Sequence, residues 1–297
     1  MKAFVFIGAG VDGIELGGIF NVNKKDVRKL QLAGVVNVVG GSVKGVQAAG
    51  LANTVRKSIS GVQVAGLVNA GLDKLDGVQV AGIVNFAMKS VSGTQIAGIV
   101  NINGGSLKGS QIAGIVNYSR NVQGLQIGLF NVADTSSGWS FGLLNLVRKG
   151  YHKVSIYTNE VLHTNIAIKT GNAKLYTILI GGTNVSSSEK LYSAGIGWGH
   201  DFIFSNRLSL AAELSTQFLY VGKPVNEHYL NKVQTLLQFR IMKGITAFAG
   251  PSYSVYQSKH FGIAEEGYKT VIAPKYSTAL SDTAKGWIGW NVGLSFF

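Results

Sequence analysis

Two hydrophobic rhythms run along the chain, and the change from one to the other falls near residue 150. In the first half the apolar positions recur every sixteen residues. Gln31, Gln47, Gln63, Gln79, Gln95 and Gln111 each open a phrase of the QVAGLVN type, and Asn37, Asn53, Asn69, Asn85, Asn101 and Asn117 close it in the same register. Gly45, Gly61, Gly77, Gly93 and Gly109 precede the glutamines by two positions, and degenerate copies lie at 15–21, 126–131 and 140–145. Sixteen residues are too few for a helix pair, and a composition rich in Val, Ile and Gly favours strand. The pattern predicts a β-solenoid, each repeat being one coil of two short strands and two turns, stacked about 4.8 Å apart. Asn then lies over Asn and Gln over Gln, so the amides form structural ladders up the stack. Glycine supplies corners that need positive φ, and Val64 and Val80 are expected in the solenoid core. A competing up-and-down sheet would run successive copies in opposite directions and leave the Gln and Asn registers without a reason.

From about 151 the rhythm becomes plain alternation. Leu208, Leu210, Ala212, Leu214, Thr216, Phe218 and Tyr220 alternate with Ser209, Glu213, Ser215 and Gln217. Eight two-faced strands are predicted, near 152–160, 162–171, 173–184, 191–204, 208–221, 229–243, 245–259 and 286–297. Many reach ten residues or more, enough to cross a bilayer at a tilt. Short turns are expected at Gly171-Asn172, Ser205-Asn206-Arg207 and Lys243-Gly244, with longer connections at 185–190, 222–228 and 260–285. The fold class is therefore all-β: a solenoid over 1–150, then an antiparallel eight-stranded membrane β-barrel over 151–297. Tyr192, Trp198, Tyr220, Tyr229, Tyr253, Trp287 and Trp290 are candidates for aromatic girdles. Asp201, Glu213, Lys232 and Arg240 are expected to face the barrel lumen and pair there. Eight strands leave an interior just filled by side chains.

Composition narrows the chemistry. The 297 residues carry 27 Lys and Arg against 14 Asp and Glu, a formal charge of +13 spread along both halves. A nucleic-acid binder gathers its basic residues on one face with aromatics between them, and no nucleic acid is expected here. Lys24, Lys25, Arg56, Lys57, Lys74, Lys89 and Arg120 follow the Asn positions and, in stacked coils, form a ragged stripe that could face anions. The chain has no Cys, which removes thiolate catalysis, Fe–S clusters and Cys-type zinc sites. No apolar run approaches the length of a membrane-spanning helix. The histidines at 152, 163, 200, 228 and 260 are scattered, and neither a GxSxG elbow nor a Walker loop occurs. Asp73 and Asp76 are the only close acidic pair of the regular array, whereas glycan hydrolysis needs convergent carboxylates. No catalytic residue, cofactor or metal is predicted.

The GVQVAGLVN array, then GLQIGLFNVAD, GLLNLVRKGYHK and a C-terminal stretch GWIGWNVGLSFF, together resemble the surface-repeat outer-membrane proteins of Gram-negative bacteria. The closing aromatic resembles the C-terminal signal of outer-membrane barrels, although the apolar register runs through Phe296 rather than Phe297. Met1–Ile7 is read as a strand rather than a secretion signal, because its apolar stretch stops at Gly8 and soon meets Asp12 and Glu15, so the chain is expected to lack upstream segments; the resemblance implies the same, and a bacterial outer-membrane location. It carries over no functional residues. The expected role is a non-enzymatic, membrane-anchored repeat scaffold for surface or envelope interaction. Outer-membrane lipid is the expected partner, with an envelope glycan or a protein as further candidates. Two alternatives stand beside it. One is a soluble secreted solenoid that binds or processes polysaccharide; the other is a single larger barrel joining the repeats to the C-terminal strands, acting as a transporter or pore.

Overall fold

The computed structural model describes residues 5–184, 189–222, 227–259, 261 and 265–297. His260, the first four residues and parts of the 185–190, 222–228 and 260–285 connections lie outside the described residues. The chain divides into two units, Met1–Gly150 and Tyr151–Phe297. Among the described residues they form separate sheets, one of 19 parallel strands and one of 9 antiparallel strands. This removes the single larger barrel, because repeats stacked in parallel cannot alternate direction within it.

The first unit is a parallel β-solenoid. A coil consists of a seven-residue strand such as Ile59–Ala65 and a four-residue strand such as Val68–Gly71. The next coil repeats both, with Gln79 over Gln63 and Asn85 over Asn69. Alternation along the long strand points Ile59, Gln63 and Ala65 inward. Val64 therefore faces outward, 41% exposed, and Val80 faces outward beside it, a correction to their expected place in the core. The interior has an apolar half, including Val27, Val43, Ile59, Leu75 and Val91, and a polar half of fully buried amides. Once Gln takes the inward position, the period of two sends its neighbours outward.

Glycine acts at two distinct points. Gly61 bends the long strand at φ +134, as Gly45, Gly77 and Gly93 do in their coils. At the corner, Gly66 lacks positive φ; a Cβ there would lie 2.1 Å from the Gly50 carbonyl oxygen, so close stacking is what requires glycine. The last coils shorten, and Gln126 follows Gln111 while Ser140 takes the Gln position above it.

The second unit is a closed barrel. Its strands are Tyr151–Asn159, Thr164–Asn172, Leu175–Thr183, Tyr192–Ile203, Leu208–Tyr220, His228–Met242, Ile245–Ser258 and Ala284–Phe296. Each pairs antiparallel with its neighbour, and the last closes on the first through Val154↔Phe296 and Asn159↔Asn291. A short strand, Thr278–Ser281, pairs on the edge of Ala284–Phe296 and was not predicted. Both ends of the barrel sheet lie at the same rim as three short turns. The first of these turns is at Ala173-Lys174 rather than Gly171-Asn172, because the Asn172 side chain accepts the Lys174 and Leu175 N–H groups.

Candidate functional site

The ladders, the basic edge and the lumen hold the polar chemistry of the molecule. In the Asn ladder each side-chain amide donates to the next coil's Oδ1, from Asn37 to Asn53 at 2.9 Å and from Asn85 to Asn101 at 3.0 Å. Its other proton reaches a backbone carbonyl, as Asn53 does to Val64 O at 2.7 Å. The Gln ladder runs the other way: Gln63 donates to Gln47 at 2.6 Å and Gln79 to Gln63 at 2.7 Å. It ends on Glu15, whose Oε2 accepts from Gln31 at 2.6 Å and Asn23 at 2.7 Å. A carboxylate suits that end, where the last group of the ladder needs only to accept. Both rows are fully buried and spend their hydrogen bonds on one another, the condition for burying amides at little cost.

Lys24, Lys25, Arg56, Lys57, Lys74, Lys89 and Arg120 are all exposed and lie where the short strand gives way to the next long one. The same edge carries residues the sequence reading did not assign to it: Arg28, which stacks on Lys44, and Arg148. Acidic residues interrupt the edge locally. Lys89 binds Asp73 at 2.9 Å and Arg148 binds Asp134 at 3.3 Å, each pair bridging successive coils. The hydrogen bond from Lys89 holds the Asp73 carboxyl below its ordinary value, against a smaller opposing effect of burial. A depressed carboxyl contributes its stabilisation above the ordinary Asp range and loses it as pH falls through the folded value.

In the barrel lumen, Asp201 and Glu213 face inward and are drawn together through Tyr176, whose hydroxyl lies 2.7 Å from Glu213 Oε1 and 3.1 Å from Asp201 Oδ1. Their cationic partners are Lys169 on Glu213 and Lys153 on Asp201. Gln234 donates to Glu213 at 2.7 Å and Gln238 to Asp201 at 2.9 Å. Lys232 is buried as expected, but its counter-ion is Glu160 at 3.7 Å, in the connection after the first barrel strand. Arg240 is a correction. It keeps the inward parity but is exposed, its guanidinium 5.6 Å from the Phe297 ring, because its strand runs past the packed lumen to an irregular rim. Trp287 is a second correction: buried at 3%, it donates to Glu160 at 2.8 Å and forms no outer girdle. Tyr192, Trp198, Tyr229, Tyr253 and Trp290 do face outward, and Tyr220 is half-buried, its hydroxyl donating to Gly222 O.

Lys153 and Lys169 were legible in principle, since each stands on the polar parity of its strand beside Ser155 or Asn165. Among the described residues, no group of three His, Asp or Glu is placed to hold a metal. No protein-family model matches the chain, and no curated protein matches it.

Proposed function

We propose that the chain is a non-enzymatic protein of a bacterial outer membrane, its barrel the lipid-embedded anchor and its solenoid a repeat scaffold for interaction at the envelope. The observation that carries the reading is the inverted polarity of the barrel. Ile156, Ile168, Leu214, Val233, Leu237, Ile288, Trp290 and Val292 are exposed on its outer face, while Lys169, Glu213, Asp201 and Lys232 are buried inside. In water such a coat is a large unpartnered apolar surface. In a bilayer it is the expected exterior, and a closed barrel leaves no strand edge in the hydrocarbon. The terminal register Ile288, Trp290, Val292, Leu294 and Phe296 lies wholly on that outer face.

The test is heat-modifiability. Membrane-fraction protein, run in mild detergent with and without boiling, should give two bands of different mobility. A soluble protein with a single band would overturn the reading and favour a secreted glycan-binding solenoid.

A further inference from the structure

The solenoid, like the barrel, exposes aliphatic side chains on its outer face, with a cationic edge added. Its corner opposite the charged edge is a ridge of aliphatic side chains, Leu51, Leu67, Ile83, Ile99, Ile115 and Leu129, each between 38% and 49% exposed. The strand positions flanking the ridge are also free of polar side chains, with Val64, Ile96 and Ile112 on one sheet and Val68, Val84 and Val100 on the other. Followed through the same corner from Ile19 to Leu143, the ridge and its flanks cross nine coils, about 40 Å, and cover roughly 1,000 Å². The largest apolar patch on an ordinary soluble monomer covers about 300–600 Å².

Charge returns only at the opposite edge. The outward positions one step nearer that edge stay mainly apolar, with Val46, Val62 and Val78 on the long strands and Val38, Phe86 and Ile102 on the short ones, and Thr94, Ser110, Thr54 and Tyr118 interspersed. The edge itself holds Arg28, Lys44, Lys57 and Lys89, among others. From ridge to edge is one long strand, about 20 Å. A leaflet has about 15 Å of hydrocarbon and reaches about 20 Å with its headgroups. An aliphatic face that ends in a Lys/Arg edge follows the depth profile of one leaflet, hydrocarbon first and then phosphates that attract basic residues.

We infer that the solenoid beds edge-on in an anionic lipid leaflet, its aliphatic ridge among the acyl chains and its basic edge among the headgroup phosphates. The occupant of the ridge is lipid because the surface is convex and wraps two sheets. Fluid chains conform to such a surface, whereas a protein partner would need a matching trough. The ridge also carries none of the polar rim that marks a protein interface. Between the end coils, side-chain amides are satisfied along the interior ladders and backbone groups pair from coil to coil, as hydrocarbon demands; the unpartnered buried oxygens of Glu15, Asn21 and Asn23 lie in the first coils. The inference rests on the membrane reading above.

The absence of Cys makes the test direct. Full-length protein with one Cys at Leu67→Cys, Ile99→Cys, Lys57→Cys, Leu237→Cys or Val292→Cys is labelled with a fluorophore. It is then reconstituted in equimolar phosphatidylcholine–phosphatidylglycerol vesicles. Labels at 67 and 99 should be quenched several-fold more by acyl-brominated lipid than by aqueous iodide, and the label at 57 should show the reverse. If 67 and 99 are iodide-quenched while barrel labels at 237 and 292 are lipid-quenched, bedding fails and the anchor stands. If 67 and 99 are shielded from both quenchers, another protein surface covers the ridge and the lipid occupant is overturned. If 237 and 292 are also iodide-quenched, the membrane reading falls and takes this inference with it.

Discussion

At Gly66 a single missing methyl decides whether two coils can stack. The nearest atom to a Cβ there is the backbone oxygen of Gly50 at 2.1 Å, whereas a Cβ at Gly13 meets nothing within 4 Å. Overpacking against backbone cannot be relieved by a rotamer change, so Gly66→Ala should lose about 1–3 kcal/mol in denaturant unfolding and Gly13→Ala should be near neutral. Equal midpoints would show that the corner has slack. The glutamine ladder is sensitive to one atom in another way. Gln79 donates to Gln63 and accepts from Gln95, so Gln79→Glu can accept but, when ionised, cannot donate. The neutral acid can do both, which raises the folded-state carboxyl above its unfolded value. The variant should therefore match the parent at low pH, lose stability as pH rises from the unfolded glutamate value of about 4.3, and level off above the folded value. Unfolding midpoints at acid and neutral pH check this, and a deficit independent of pH would mean the side chain has left the ladder. The sequence disclosed both ladders through their sixteen-residue register. It did not disclose that Val64 faces outward, because burying Gln in preference to Val reverses the usual inside preference, and only the strand parity counted from Gln63 reveals it.

One coil is the unit on which solenoid stability is built, and its two sides respond differently. Ile59 is buried at 1% in the apolar half of the interior, whereas Val64 lies two-fifths exposed on the outer face. Truncating a packed aliphatic leaves a cavity, so Ile59→Ala should cost about 2–5 kcal/mol. Val64→Ser should stay below about 1 kcal/mol in detergent, because it removes no interior contact. Comparable losses from both would mean that the outer face is packed against another part of the molecule or a partner. At this scale the second half was the more readable. Strands such as Leu208–Tyr220 lie within a residue or two of their predicted ends, because a strict period of two with one polar face admits little else. Thr278–Ser281 escaped notice since all four residues are exposed and no alternation marks them. The Ala173-Lys174 turn was displaced because the dipeptide before it holds the strained glycine, Gly171 at φ +139, and the capping asparagine. The turn signals were there, shifted from the turn itself.

In both units buried polar side chains lie beneath an outer face rich in exposed apolar ones, and the hardest test of that arrangement is the barrel's charged centre. Asp201 and Glu213 could be placed in the lumen from parity alone, but their partners could not. Lys169 is 44 residues from Glu213 in sequence and Lys153 is 48 from Asp201, and which strands lie across the lumen from each other depends on closure and stagger. Glu160 was out of reach for another reason: the 152–160 strand gives it the outward parity of Val154 and Ile156, whereas the strand ends at Asn159 and Glu160 reaches Lys232 from the connection that follows. The Lys169–Glu213 pair is nearly inaccessible, with side chains 5% and 2% exposed, and it sits against Tyr176 and Gln234. Removing one member leaves the other charged with no opposite charge beside it, at about 3–5 kcal/mol, whereas neutralising both can be close to neutral. Lys169→Met and Glu213→Gln should each lower the temperature at which the compact unboiled band disappears, and the double variant should recover most of the loss. The lumen should remain closed in all three, because the rings of Tyr176, Tyr157 and Phe248 still pack across it. An additive loss in the double variant would mean that the two charges act independently, which the direct contact between them forbids. Steady ion conductance in the parent protein would mean that the packed interior opens and that the lumen charges line an ion path.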